Sequence, residues 1–453
     1  MRPTVLWFRR DLRLADSPAL LTAAAAGDAV LPLFVLDPVL LEPAGAPRMT
    51  YLYRALRELD SSVGGRLVVQ AGDPVDVVPR MAAELDAASV HVSADFGPYG
   101  AGRDRRVESA LATAGRSLVR SGSPYAVSPG RLKKADGTSF RVYSPYFRAW
   151  SAHGWPAPAP AGDAIRWTDG NLAHGGVPAD PDLGATRIPA AGEAAALAAW
   201  RAFRDEHLAG YAERRDVPAQ PGTSRLSVHL KYGCLHPRTL LADLGLGPGP
   251  ERLRGELAWR EFYADVLFAD PASAREPLAP AMAAMAYDTG PRADERFRAW
   301  AAGRTGYPIV DAGMRQLAAE AWVHNRARMI VASFLVKDLH IDWRRGARYF
   351  LRHLVDGDLA SNNHGWQWVA GTGTDPKPYF RVFNPTTQGR KFDPAGDYVR
   401  RYVPELRGLD ASAVHEPWRL PAGPPAGYPS PIVDHAAERR EALDRYAAVR
   451  EQR

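Results

Sequence analysis

Residues 356–368 (Asp-Gly-Asp-Leu-Ala-Ser-Asn-Asn-His-Gly-Trp-Gln-Trp) combine residue types that rarely occur together in an ordinary core. The segment has two carboxylates, adjacent amides at Asn362 and Asn363, and two indoles at Trp366 and Trp368. Amides and carboxylates hydrogen-bond the edge of a planar heterocycle, and indoles pack against its face. We therefore predict a buried heterocyclic cofactor here. The alternative is a turn-rich loop capped by packing tryptophans.

Residues 222–227 (Gly-Thr-Ser-Arg-Leu-Ser) form a second candidate site. Their hydroxyls and free backbone N–H groups precede an apolar helical pattern, and such groups at a helix start bind anions. The segment could hold a diphosphate. A plain N-cap by Thr223 or Ser224 explains the same residues, and the sequence leaves both interpretations open.

Two predicted helices, residues 255–263 and 321–330, carry polar residues where a core would be apolar. Side chains at i, i+3, i+4 and i+7 share a helix face. These are Glu256, Trp259, Arg260 and Tyr263 in the first helix, and Trp322, Asn325, Arg326 and Met329 in the second. Such faces suit a pocket that hydrogen-bonds and stacks a base. The alternative for the first helix is an exposed Glu–Arg pair beside a packing tryptophan.

The composition bounds the class of protein. The chain has 453 residues, too many for one core, with 46% hydrophobic and 24% charged residues, as in a globular enzyme with two or three domains. No apolar run approaches a membrane span, and the first ten residues lack the apolar core of a signal peptide, so we expect a cytoplasmic protein. The single cysteine, Cys234, excludes an intramolecular disulfide, a cysteine zinc site and an iron–sulfur cluster. A net charge of +6 permits a polyanionic partner without requiring one.

The N-terminal part alternates short apolar strands with helical segments, which predicts βαβ units and a parallel sheet. Predicted strands cover residues 3–9, 30–36, 67–70 and 89–93, and predicted helices include 51–62 and 75–85. Ligands in such folds bind beyond the carboxyl ends of the strands. No G-x-G-x-x-G follows the first strand, so we do not expect a dinucleotide site of that kind.

The rest of the chain reads differently. From about residue 150 to 195, Pro, Gly and Asp clusters predict a long surface linker. Beyond it, apolar spacing predicts helices at 194–207, 237–244, 255–267, 312–339, 344–354 and 434–450. The C-terminal part is therefore predicted to be an all-α domain.

Several motifs, in order along essentially the whole chain, resemble those of the photolyase/cryptochrome family. They are residues 8–14 (Phe-Arg-Arg-Asp-Leu-Arg-Leu), 259–263 (Trp-Arg-Glu-Phe-Tyr), 305–315 (Thr-Gly-Tyr-Pro-Ile-Val-Asp-Ala-Gly-Met-Arg), 356–363 and 383–388 (Phe-Asn-Pro-Thr-Thr-Gln). The resemblance implies a Rossmann-like α/β antenna-chromophore domain at 1–130, a linker at 131–195 and an all-α FAD-binding catalytic domain at 196–453. It also implies that blue light excites reduced FADH⁻, which passes an electron to a cyclobutane pyrimidine dimer flipped out of DNA. The dimer then splits and the electron returns.

The match is closest to the class I cyclobutane pyrimidine dimer photolyases. Asn325 and Met329 stand where (6-4) photolyases carry two histidines, and Trp368 stands where DASH-type cryptochromes usually carry tyrosine. The long C-terminal tail common in signalling cryptochromes is not expected. A cryptochrome-type blue-light photoreceptor, with the same fold and FAD, is the alternative.

The resemblance assigns the residues that would hold FAD and the lesion. The FAD residues are Tyr211, Thr223, Ser224, Arg225, Leu226, Ser227, Arg328, Asp356, Gly357, Asp358 and Asn362. Asn362 would face flavin N5, and Asp356 would pair with Arg328. Glu256 would hydrogen-bond the dimer carbonyl, and Trp259 and Trp368 would stack on its pyrimidines, with Asn325 and Met329 alongside. The expected DNA contacts are Arg215, Arg260, Arg326 and Gln388.

The implied electron-transfer chain departs from the family pattern. Trp366 and Trp343 match the flavin-proximal and middle tryptophans, but the distal position has Tyr287. Tyr287 is the candidate substitute, and an exit elsewhere is the alternative. We therefore expect slower or altered photoreduction, with repair intact once FADH⁻ is present.

The resemblance leaves the antenna chromophore and the partners less defined. Phe34, Arg48 and Asp104 look like the members that bind 8-hydroxy-5-deazaflavin; methenyltetrahydrofolate or an empty site are the alternatives. We expect a monomer that binds dimer-containing DNA, associates with the nucleoid when bound, and needs no metal, membrane or obligate protein partner.

Overall fold

The computed structural model describes residues 2–162, 165–168, 175–374 and 380–451. By packing, the chain divides into two units. Unit 1 comprises Met1–Leu183, Pro189–Ala209 and Ser224–Pro271, and unit 2 comprises Gly184–Ile188, Gly210–Thr223 and Ala272–Arg453. The predicted domains follow chain order and these units do not, so the boundaries at 130 and 195 stay a prediction.

Unit 1 contains the predicted parallel sheet. Its strands are β1 (Thr4–Phe8), β2 (Val30–Leu36), β3 (Val68–Ala71), β4 (Ser89–Val92) and β5 (Ser117–Arg120), in the order β3-β2-β1-β4-β5. Every residue of β1 and β2 is buried, as expected for inner strands of a parallel sheet. The connections leave β1 in opposite directions, so the carboxyl ends of β1 and β4 flank the crevice where such sheets bind ligands. The sequence prediction did not include β5.

Helices make up most of the remaining regular structure. In chain order they are α1 (Pro18–Ala26), α2 (Pro38–Leu41), α3 (Ala46–Ser62), α4 (Pro74–Glu84), α5 (Pro98–Thr113), α6 (Tyr143–His153), α7 (Glu193–Glu206), α8 (Tyr211–Arg214), α9 (Ser227–Tyr232), α10 (Pro237–Asp243), α11 (Pro248–Ala269), α12 (Pro291–Ala301), α13 (Pro308–Glu320), α14 (Asn325–Ser333), α15 (Trp343–His353), α16 (Leu359–Ala370), α17 (Pro385–Phe392), α18 (Asp397–Tyr402) and α19 (His435–Glu451). Within its described residues, unit 2 contains no strand, as predicted for an all-α part. No helix in the described part of the chain is long and apolar enough to cross a membrane.

The predicted helix at 312–339 is wrong as a single element. The chain leaves α13 at Ala321, which adopts a left-handed conformation (φ 48°), and restarts as α14 with the His324 ring accepting the backbone N–H of Arg326 at 3.1 Å. A π-helical turn at Phe334–Asp338 follows. Trp322 therefore lies in the break, outside the helical face that the spacing predicted for it.

Candidate functional site

Helix α16 contains most of the segment that first suggested a cofactor. Asp358 is its N-cap and accepts the backbone N–H of Ser361 at 3.1 Å. The segment is thus a capped helix, and the alternative of a turn-rich loop is wrong. The helix brings the amides and both indoles onto one rigid element.

Arg328 of α14 and Asp356 form the predicted ion pair. Arg328 Nη2 donates to both carboxylate oxygens, at 2.8 and 3.1 Å, and its Nε donates to the Val323 carbonyl at 2.7 Å. The Asp356 side chain is buried. The pair is charge-assisted, with the carboxylate buried and the guanidinium half-buried, and it holds the entry of α16 in one place.

Asn362 has a defined orientation. Its Nδ2 donates to the Ala347 carbonyl at 3.1 Å and to Asn363 Oδ1 at 2.8 Å. With both amide protons engaged, Oδ1 is the end available as an acceptor. An acceptor is what a protonated ring nitrogen requires.

The anchoring residues of α16 were missed by the sequence interpretation. Gln367 donates to the carbonyls of Ser273 (2.7 Å) and Glu276 (2.9 Å), and its Oε1 accepts the N–H of Leu278 at 2.8 Å. Asn363 donates to the Ala274 carbonyl at 2.5 Å. The signal was present, since a helix with this many polar residues must bury some of them.

Trp366 and Trp368 have different surroundings. Trp366 is buried, and its ring centroid lies 5.1 Å from Phe350 and 6.2 Å from Trp300. A Cβ at Gly346 would come within 2.3 Å of the Trp366 ring, so only glycine permits this approach. Trp368 is half-buried, with the Arg381 guanidinium 4.6 Å above its ring.

Tyr287 lies near the two residues that flank Trp343. Trp343 is fully buried, and its Nε1 has no hydrogen-bond partner among the described residues. Burial raises the pKa of Tyr287, and Asp342 and Arg344, on either side of Trp343, both act on it. This neighbourhood is consistent with Trp343 and Tyr287 as successive donors, which stays a prediction.

Helix α14 presents the predicted lesion residues at its start. Asn325 is exposed and Met329 is half-buried. Arg326 donates to Asp216 at 3.0 Å, contacts Met329 Sδ at 3.8 Å and lies 4.2 Å over Phe392. His324, the N-cap, is buried, which lowers its pKa to about 4 and keeps the ring neutral.

Helix α11 in unit 1 carries the other half of the predicted lesion site. Glu256, Trp259, Arg260 and Tyr263 are all half-buried, as expected for one face. Glu256 lies 4.0 Å from Arg252. Arg260 donates to the carbonyls of Pro124 (3.0 Å) and Leu230 (3.1 Å), so backbone carbonyls engage the guanidinium that the alternative assigned to a Glu256–Arg260 pair.

Two buried acids fix α11 and were also missed. Glu261 accepts three donors, the N–H groups of Ala126 (2.5 Å) and Val127 (3.0 Å) and Trp150 Nε1 (2.7 Å). Asp265 accepts the N–H of Gly130 at 2.7 Å. Burial raises the pKa of both carboxyls.

The predicted diphosphate segment lies across the division between the two units. Thr223 belongs to unit 2, and Ser224 to Ser227 belong to unit 1. Neither Thr223 nor Ser224 caps α9, whose N-cap position is Leu226; Ser224 Oγ instead accepts the Leu226 N–H at 3.4 Å. Arg225 has φ 51°, a left-handed conformation that turns the chain before the helix.

The remaining predicted contacts are found in unit 2. Tyr211 is buried at the start of α8, with Arg215 5.9 Å over its ring. Gln388 is half-buried on α17, whose N-cap Asn384 accepts the Thr387 N–H at 2.9 Å. Gly357 is buried between the two acids of the α16 entry.

The predicted antenna residues lie in unit 1. Asp104 accepts Arg9 at 2.6 Å and Arg103 at 2.9 Å, and both guanidiniums lie over Trp7. Its carboxylate therefore holds the residue that follows β1 against α5, at the sheet crevice. Phe34 is buried, and Arg48 donates to the Pro43 carbonyl at 3.0 Å.

Comparison with known proteins gives consistent results. A family model for the FAD binding domain of DNA photolyase matches residues 253–448, and one for DNA photolyase matches residues 4–163. The deoxyribodipyrimidine photo-lyase of Streptomyces griseus is 43% identical over 97% of this chain and 98% of that protein. Among solved structures, a bacterial class III photolyase from Agrobacterium tumefaciens is 37% identical, covers 100% of this chain and 98% of its own, and has a TM-score of 0.92. An archaeal photolyase from Sulfolobus tokodaii with two FAD molecules is 30% identical over 98% and 100%, with a TM-score of 0.85.

Proposed function

The chain belongs to the DNA photolyase family, and from that premise we propose that it repairs cyclobutane pyrimidine dimers in DNA by light-driven electron transfer. The observation that carries the proposal is α16. One helix, entered through the Arg328–Asp356 pair, places an oriented amide at Asn362, a buried indole at Trp366 and a half-buried indole at Trp368. Cofactor binding alone would not require the second indole.

The donor set fits a reduced flavin. Reduced FAD supplies the light-excited electron that opens the dimer. Asn362 Oδ1 would accept a hydrogen bond from the protonated N5 of the flavin. Arg328 and Asp356 hold the entry of α16 in place. Tyr211, Gly357 and Asp358 are the other residues assigned to the flavin. The hydroxyl and N–H groups of Thr223, Ser224, Arg225, Leu226 and Ser227 are suited to the diphosphate.

The lesion is assigned to residues of α11, α14 and α16. Trp259 and Trp368 stack on the two pyrimidines, with Asn325 and Met329 beside them. The carboxylic acid form of Glu256 would donate a hydrogen bond to the dimer carbonyl, where negative charge develops as the electron arrives. Arg215, Arg260, Arg326 and Gln388 contact the DNA strand, so affinity should fall as salt rises.

A repair assay tests the proposal. The protein, with chemically reduced FAD, is mixed with an oligonucleotide containing one thymine dimer and is illuminated or kept dark. Illumination should restore the intact thymines and darkness should not, and Glu256→Gln should lower the yield per photon. A wild-type protein that binds reduced FAD but repairs nothing in light would favour the photoreceptor alternative.

Photoreduction of the flavin is assigned to Trp366, Trp343 and Tyr287. Trp366→Phe should abolish photoreduction and leave repair by chemically reduced protein intact, which separates the two electron transfers. Trp343→Phe should slow photoreduction strongly. An unchanged rate in Trp343→Phe would remove Trp343 from the chain of donors.

The proposal also covers the antenna chromophore and the oligomeric state. We assign an 8-hydroxy-5-deazaflavin to the crevice near Phe34, Arg48 and Asp104. Titration of the FAD-loaded protein with the deazaflavin, with methenyltetrahydrofolate and with a second FAD decides among them by absorption. Sedimentation at several concentrations tests the expected monomer.

A further inference from the structure

The indole of Trp259 is stacked against a residue from another helix. Tyr143, the first residue of α6, lies parallel to it with 3.7 Å between centroids and 6° between planes. Phe262 and Tyr263 of α11 meet the indole at angles of 77° and 43°. Tyr143 therefore covers one face of Trp259, and a pyrimidine has only the opposite face on which to stack.

The Tyr143 side chain contacts α11 at two points. Its hydroxyl donates to the Gly255 carbonyl at 2.7 Å, one helical turn before Trp259, while its ring lies on the indole. A ring held at both its hydroxyl and its face has little freedom to rotate. The indole beneath it is therefore restricted to one rotamer.

Helix α6 is itself held against α11. Phe147 stacks behind Tyr143 with 5.7 Å between centroids and 20° between planes. Trp150, one turn further, is fully buried and donates to Glu261 at 2.7 Å. Helix α6 thus carries both the ring that stacks on Tyr143 and the indole that donates to Glu261, the buried carboxylate that anchors α11.

We propose that Tyr143 is a positioning residue for lesion recognition, which fixes Trp259 as a one-faced stacking platform before DNA binds. The inference rests on the proposed function, since it assigns Trp259 to the lesion. Aromatic stacking is directional, and a ring already ordered loses less side-chain entropy when a base stacks on it. The affinity for undamaged DNA, which does not enter the site, does not depend on the ordering of this ring.

Binding in the dark tests the proposal with the FAD-loaded protein. Tyr143→Ala should weaken binding of a thymine-dimer oligonucleotide by roughly three- to ten-fold, the worth of one aromatic pair, and leave binding of the undamaged oligonucleotide unchanged. Tyr143→Phe, which keeps the ring, should retain most of the affinity. Phe147→Ala, which removes the ring stacked behind Tyr143, should cause a smaller loss. Ser144→Ala, at an exposed position of the same helix, is the matched control and should leave affinity unchanged.

A double-mutant cycle separates positioning from general damage to the fold. In a Trp259→Ala background, Tyr143→Ala should cause no further loss of dimer binding, because its effect passes through the indole. Losses that add in the cycle, or that are equal for damaged and undamaged DNA, would overturn the proposal.

A lesion-independent measurement keeps this inference apart from the proposed function. With 5-fluorotryptophan incorporated, the ¹⁹F resonance of Trp259 is identified by its loss in Trp259→Phe. It should shift and change width in Tyr143→Ala, and much less in Tyr143→Phe. If wild-type protein shows no preference for dimers, the proposed function fails, yet this resonance still decides whether Tyr143 orders Trp259. An unmoved resonance rejects the positioning role.

Discussion

Helices α11 and α16 each carry a tryptophan assigned to the lesion, but opposite chemistry holds them in place. In α11 the buried anchors are the carboxylates of Glu261 and Asp265, and all of their hydrogen-bond partners described above are N–H donors. In α16 they are the amides of Asn363 and Gln367, which both donate to carbonyls and also accept, Gln367 from the Leu278 N–H and Asn363 from the Asn362 amide. Each anchor matches the backbone groups that its neighbouring segment presents. The polar core residues of each helix are therefore specified by the loop that faces it.

This difference predicts that replacing the carboxylate anchor of α11 by an amide, or the amide anchor of α16 by a carboxylate, should destabilise the helix concerned. A carboxylate accepts hydrogen bonds and donates none, whereas a primary amide does both. Glutamate and glutamine are nearly the same size, so an exchange alters the hydrogen bonds and the charge while barely altering the packing.

The largest effect is expected for Gln367→Glu. The new carboxylate would face the carbonyls of Ser273 and Glu276 in a fully buried place, where Gln367 now donates. An uncompensated buried charge should destabilise the anchoring of α16 by about 3–5 kcal/mol at neutral pH. Hydrogen exchange of the α16 amides measures this locally. The exposed Gln220→Glu is the control, and a similar change in both variants would contradict the argument.

A smaller effect is expected for Glu261→Gln. The amide nitrogen would then face donors, since Ala126, Val127 and Trp150 all donate to Glu261. Leaving one of them unsatisfied should cost about 1–3 kcal/mol in the stability of α11. Hydrogen exchange of the α11 amides should report it, with the exposed Glu251→Gln on the same helix as the control. Protection equal to wild type would show that the carboxylate is not required.

The pH dependence of the two exchanges should have opposite signs. Burial raises the folded-state pKa of Glu261 above its ordinary value of 4.5, so its stabilising contribution is complete below pH 4.5 and is lost as the pH rises through the raised pKa. The penalty of Glu261→Gln should therefore shrink with rising pH. Gln367→Glu adds a buried acid, so its penalty should grow, by at most about 1.4 kcal/mol per pH unit for one proton. If the penalties of Glu261→Gln and Gln367→Glu changed with pH in the same direction, the proposed difference between the two anchors would be wrong.

Helical spacing in the sequence predicted which residues share a face of α11, but it did not predict the anchors of either helix. Glu256, Trp259 and Arg260 follow a helical spacing that is visible locally. Glu261 belongs to the same helix, but its partners lie far earlier in the chain, Ala126 and Val127 in the predicted antenna domain and Trp150 in the predicted linker. Nothing local indicates which loop N–H groups will face a given carboxylate. Long-range packing decides that.

Local pattern also failed where an unusual backbone overrides side-chain preference. Ala321 takes a left-handed conformation that glycine would have signalled, so the apolar spacing across it predicted one continuous helix. The break matters for the site because it places Asn325 at a helix start. The edge strand β5 (Ser-Leu-Val-Arg) has too few apolar residues to stand out.

The smallest expected effect concerns the partners of the two indoles. Trp259 stacks on the neutral ring of Tyr143, whereas Trp368 lies under the guanidinium of Arg381. A cation over an indole at a partly exposed site contributes about 0.5–1 kcal/mol, so Arg381→Ala should weaken dimer binding by only a few-fold. Unlike Tyr143→Ala, it should also flatten the salt dependence of binding, because it removes a positive charge beside an indole assigned to the lesion. Arg381→Lys should preserve that dependence, and an identical salt slope in Arg381→Ala and wild type would leave Arg381 as a support for the indole alone.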